Sequence, residues 1–192
     1  MEIGSIKFFE RWYICITQSQ ITMDIKYPIG KPIYVENPTE EEIQGWIADI
    51  AALPEQIQET IEGFSDEVLE KSYREGGWNA KQLIHHLVHS HMNSLFRVQY
   101  ALTEDNPTVM SYNREAWVNL DEKFGTPVEL SLFLLEEIHT KMVLMYNSIT
   151  GDEWQRTFEN PDAGQFTILK SLMLYAWHCR HHLAHIKLIT KN

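Results

Sequence analysis

Histidine dominates the chemistry written into this chain. All nine histidines fall after residue 84, and eight of them crowd into two short stretches, LIHHLVHSH and WHCRHHLAH. An imidazole changes charge near neutral pH and, when neutral, is the commonest ligand for a metal ion. In the second stretch His178 and His182 are four residues apart, so on a helix their rings rise from one face and can close on the same ion. His181 and His185 repeat that spacing, as do His85 and His89 in the first stretch, so spacing alone selects no pair. A lone HxxxH is more often a hydrogen-bonded polar layer in a helical core than a metal site. Two clusters on separate segments shift the balance, because three imidazoles and one open position form a common catalytic zinc shell.

The elements that must carry these side chains are helices. Thr39 is a natural N-cap for TEEEIQGWIADIAALPEQIQETIEGF, whose three leading glutamates suit the positive end of a helix dipole. Apolar residues from Ile43 to Phe64 recur with a period near 3.6, and Pro54 is expected to kink this helix or begin a second segment. The turn REGGWN precedes AKQLIHHLVHSHMNSLFRVQYALT, with Asn79 as its cap. A short helix over residues 115–123 follows, then a long one in which Pro127 occupies the first turn. TGDEWQRTFENPDAGQFTI carries turn residues and leaves room for a loop or hairpin excursion. Four long helices with short connections imply an all-α four-helix bundle with one short extra helix, over a single domain at residues 23–192.

The last helix shows which of its histidines face inward. Ile168, Leu172, Tyr175, Cys179, His182, Ile186 and Ile189 alternate spacings of four and three, the seam of a packed helix. His182 lies on that seam and His178 a short rotation away, whereas His181 points toward the flank. For His181 and His185 a solvent-facing position outweighs a proton-transfer role. In the earlier helix periodicity does not select a ligand. His91 lies nearest the middle of the apolar face and reads as a packed core residue, while His86 shares a side with Ser90, Asn93 and Arg97. Glu136, Glu137 and Asp121 read as ordinary surface carboxylates, and Tyr175, Trp177 and Trp78 as core aromatics.

Composition removes several function classes. Acidic residues outnumber basic ones 27 to 16, for a net charge of −11, which disfavours nucleic acid and anionic lipid as partners. No apolar run is long enough to cross a membrane, and Cys15 and Cys179 form no disulfide or CxxC pattern, so a cytoplasmic protein is expected. Residues 1–22 lack the layout of a signal peptide and read as an N-terminal extension of uncertain status, with no function assigned to Trp12 or Cys15.

The segments YPIGKP, YREGGWNAKQLIHHLVHSHMNSLFR and LYAWHCRHHLAHI closely resemble the YfiT-like metal-dependent hydrolases of the DinB superfamily. The resemblance spans roughly residues 27–186 and is most specific in the two histidine segments. It implies a four-helix bundle, a homodimer and one divalent ion per chain, zinc by default and nickel as the alternative. It also implies the ligand set: the second histidine of LIHHL is His86, and the first and last of HCRHH are His178 and His182. The expected activity is hydrolysis of an amide, ester or similar bond in a small-molecule substrate by a metal-activated water. No general base is assigned. The alternative is an S-transferase using a low-molecular-weight thiol of the bacillithiol type, the ion holding the thiol as thiolate. A closed metal shell with a fourth protein donor would instead mark a structural ion.

Overall fold

The computed structural model describes residues 24–189; the extension at residues 1–22 lies outside them. Among the described residues six α-helices and one β-hairpin are the main regular elements: α1 (Glu40–Ile61), α2 (Asp66–Leu69), α3 (Ala80–Thr103), α4 (Arg114–Phe124), α5 (Val128–Ser148), β1 (Thr157–Asn160), β2 (Gly164–Thr167) and α6 (Ile168–Ile189). The long helices α1, α3, α5 and α6 form the bundle.

The helix starts follow the capping chemistry. The Thr39 hydroxyl accepts from the Glu42 amide at 3.2 Å while the Glu42 carboxylate accepts from the Thr39 amide at 2.7 Å. Asn79 and Gln82 exchange the same pair of bonds at the head of α3, which fixes the turn from which the first histidine cluster departs. Gly125 stops α4 in the left-handed conformation at φ 66°, and Pro127 caps α5 from outside its first turn.

Around the bundle the order is α1, α5, α3, α6, because α1 packs on α5 and α6, and α3 packs on the same two. The segments α1 to α3 and α5 to α6 therefore cross the diagonal, although successive elements usually lie side by side. Short connections were expected; the diagonal requires longer ones. The first carries α2, and the second carries a 3-10 turn (Gly151–Gln155) and the hairpin, which pairs Thr157 with Thr167 and Asn160 with Gly164. The hairpin also ties down the end of α3, where the Arg156 guanidinium donates to the carbonyls of Ala101 and Glu104.

Helix α1 departs from expectation at Pro54, through which it runs as one element. Proline has no N–H to give the carbonyl four residues back. That carbonyl, of Ile50, accepts instead from the Nδ1–H of His139 on α5, so the bond the helix loses is remade between helices.

Leu135 on α5 is wholly buried between neighbouring helices, whereas Leu134 beside it is 41% exposed. Leu135→Ala is expected to lower the unfolding free energy by about 2–5 kcal/mol and Leu134→Ala by less than about 0.5 kcal/mol, as read from urea denaturation.

Candidate metal centre

Helices α3 and α6 lie side by side and bring three imidazoles to a point. His178 Nε2 stands 3.2 Å from His86 Nε2 and 3.1 Å from His182 Nε2. The α-helical period accounts for the pair on α6, one turn apart, and the packing of α3 against α6 supplies the third. Three nitrogens bound to one ion at about 2.0–2.1 Å lie roughly 2.8–3.4 Å apart in octahedral (facial) or tetrahedral geometry. The observed separations fall in that range, and the donor set is all neutral nitrogen. Burial keeps the three rings well below the ordinary histidine range, with neighbouring histidines and the Arg114 charge depressing them further. They are thus neutral near pH 7, as ligation requires.

Behind this trio a second set of contacts runs into the core. His178 Nδ1 is 3.0 Å from His91 Nε2, and His91 Nδ1 is 2.7 Å from His139 Nε2. On the outer side His182 Nδ1 faces His185 Nδ1 at 3.4 Å.

In front lies an open cleft of about 730 Å³. Of the trio His182 lines this cleft. Its walls include Lys26 and Tyr27 from the lead-in, Arg74 and Trp78 from the turn before α3, and Tyr112 and Arg114 at the start of α4. The lead-in is anchored there by the Trp177 indole N–H, which donates to the Gly30 carbonyl at 3.1 Å. Burial raises the Tyr112 phenol to about 12, so it remains an O–H donor at neutral pH.

Several positions differ from expectation. His181 and His185 are buried and line the cleft; His181 stacks on Trp177 at 4.3 Å and His185 on Tyr73 at 4.0 Å. The seam reading missed this because α6 is covered on its flank by the lead-in and by the turn before α3. Trp78 is a half-buried cleft residue, its ring 4.7 Å from that of His86. Asp121 is no free surface carboxylate: its Oδ2 lies 2.8 Å from His89 Nε2, with both side chains mostly covered. His85 faces Ser131 Oγ at 2.7 Å, so neither His85 nor His89 joins the trio. His91 is fully buried, as expected. His139 was not singled out by sequence, and the cleft residues Arg74, Tyr112 and Arg114 carried no signal beyond their place near turns.

Two other donor groups are compact: His91 with His139 and Cys179, and His181 with His182 and His185. In the first, burial holds the Cys179 thiol well above its ordinary value, so without a bound ion it stays protonated near pH 7.

Comparison with known proteins agrees with this architecture. Residues 49–186 match the DinB superfamily. Curated relatives from Bacillus cereus (strain AH820) and Bacillus anthracis (strain A0248) are each 42% identical over 169 residues, covering 88% of this chain and 97% of the relative. Both are provisionally named metal-dependent hydrolases. The solved structure of YfiT from Bacillus subtilis, described as an unusual four-helix bundle and provisionally as a metal-dependent hydrolase, matches with a TM-score of 0.83 at 34% identity. The match covers 87% of this chain and 96% of that one.

The buried histidines make the metal-free protein sensitive to acid. His139 is lowered by burial from about 6.5 to about 4. Above pH 6.5 neither the folded nor the unfolded chain protonates it. As pH falls from 6.5 toward 4 the unfolded chain takes up a proton that the folded chain refuses, so stability declines, by up to about 3 kcal/mol for this group. Urea unfolding of the metal-free protein is expected to weaken between pH 7 and pH 4.5, and to weaken less in His139→Phe.

Proposed function

We propose, from the premise that this chain belongs to the DinB superfamily, that it is a metal-dependent hydrolase of a small molecule in which His86, His178 and His182 hold one divalent ion. The observation that carries the reading is the convergence of three imidazole nitrogens, with the Nε2 atoms of His86 and His182 at 3.2 and 3.1 Å from His178 Nε2, beside an open cleft. An all-nitrogen set of this kind suits zinc, with nickel the next candidate. When bound, such an ion supplies Lewis-acid polarisation of a carbonyl and lowers the pKa of water to near 7.

The chain's own residues complete the site. His182 lines the cleft, and among the described residues the donor group at His178 is made of these three histidines alone, which favours an open coordination position over a closed structural shell. Lys26, Arg74 and Arg114 oppose the single carboxylate Glu115 in the cleft wall of an otherwise acidic protein. Their field favours a substrate with an anionic group beside the bond to be cleaved. The neutral Tyr112 phenol offers a hydrogen-bond donor in the same wall. Exposed apolar side chains on α3 and α5, among them Phe96, Tyr100 and Phe133, support a homodimer.

Elemental analysis of untagged protein is expected to find one ion per chain, lost in His86→Ala and in His178→Ala with the helical circular dichroism retained. In a screen of small esters and amides, anionic substrates are expected to outperform neutral ones, with activity falling on the order of 10³-fold in His178→Ala. A conjugate formed only on adding a low-molecular-weight thiol would replace hydrolysis with thiol transfer. Absence of metal from the native protein would remove both.

A further inference from the structure

The contacts behind the trio form an unbroken chain with a defined direction. Pro54 leaves the Ile50 carbonyl without its helical donor. A carbonyl can only accept, so the Nδ1 that His139 turns toward it carries a proton. A neutral imidazole has one N–H, which leaves His139 Nε2 as an acceptor. At 2.7 Å it meets His91 Nδ1, with the two ring planes within 5° of parallel. His91 is thereby protonated on Nδ1 and bare on Nε2. That bare nitrogen lies 3.0 Å from His178 Nδ1, which must donate to it. His178 is left bare on Nε2, the atom that meets His86 and His182. The opposite order would set a lone pair of His139 against the carbonyl oxygen.

We propose that the Ile50 carbonyl, freed by Pro54, sets the tautomer and ring orientation of His178 through His139 and His91, so that its Nε2 is presented bare to a metal ion. His91 and His139 are positioning residues on this view. They do not touch the reacting groups; they remove the choice of which nitrogen of His178 holds the proton and which way the ring faces. Both are essentially without solvent contact, at 0% and 1% exposed, and among the described residues no carboxylate bonds either ring, so an extra proton on the chain would be uncompensated. Second-neighbour hydrogen bonds to metal-binding histidines characteristically run to a carbonyl or carboxylate in one step. Here the carbonyl lies two imidazoles away. The inference rests on the reading of His178 as a ligand, and the compact His91, His139 and Cys179 group is its competitor as a second metal site.

The test has two independent readouts on the full chain. In metal-free protein with 15N-labelled histidine, long-range 1H–15N spectra at pH 7.5 are expected to show His139, His91 and His178 all protonated on Nδ1. Zinc affinity, measured by competition with a chromophoric chelator, is expected to drop about 10–100-fold in His91→Leu and His139→Leu. It is expected to stay within a few-fold in His91→Gln, whose amide can donate to His139 and accept from His178. An Nε2–H signal from His178 would overturn the proposal, as would unchanged zinc affinity in both leucine variants. Two zinc ions per chain, one lost in Cys179→Ala, would overturn it in favour of a second site. Failure of the metal reading shows separately, as native protein that binds no zinc, and the spectra then still decide the tautomers.

Discussion

Every ring nitrogen taken into a helical core must find a partner there, and this requirement organises the centre of the protein. A buried imidazole without one carries a desolvation penalty on the scale of a lost hydrogen bond or more. Seven histidines are buried in this bundle, alongside a core otherwise built of aliphatic and aromatic side chains. Most of their nitrogens are matched to one another, to a serine or to a backbone carbonyl, and in one place to nothing but two more nitrogens. That last arrangement, three acceptor-competent atoms turned inward, is the one in which a cation resolves what hydrogen bonds alone leave crowded. Bundle packing and the geometry of the trio are therefore a single problem in this chain: the helix spacing that suits leucine and isoleucine also sets the distance between the three imidazole nitrogens.

Much of this was legible in sequence because it depends on local spacing. The caps at Thr39 and Asn79, the seam of α6 and the pairing of His178 with His182 all follow from the helical period. The choice of His86 does not. On α3 it competes with His85 and His89, and only the packing of α3 against α5 and α4 shows that those two are drawn aside to Ser131 and Asp121. The burial of His181 and His185 was hidden for a related reason, since the covering residues, Tyr27 and Tyr73, come from irregular segments whose path no periodicity describes. His139 was out of reach altogether. Its partners Ile50 and His91 lie on other helices, 89 and 48 residues away. The single hint was Pro54, a residue that marks a missing donor but cannot say who replaces it.

Charge is distributed against the trend of the whole molecule. The chain carries a net −11, yet lysine and arginine gather where the lead-in, the turn before α3 and the head of α4 converge on the cleft. All three segments lie outside the four bundle helices. On the proposed reading the bundle supplies the rigid platform for the trio and its connections supply the recognition surface, the division expected when loops positioned by a scaffold carry specificity.

The diagonal path of the chain bears on how the protein is made. Helix α1 packs chiefly on α5 and α6, the last two bundle helices to be synthesised, and its nearest successor in sequence, α3, stands across the bundle from it. A nascent chain that has emerged as far as α3 and α5 can bury part of their surface, but α1 and its apolar face must wait for the C-terminal helix. Helical bundles usually fold fast because their contacts are local. This one defers its closing contacts until α6 has been made, and the three histidines meet only then. A chain lacking α6 would be unclosed and could not bring His178 and His182 to His86.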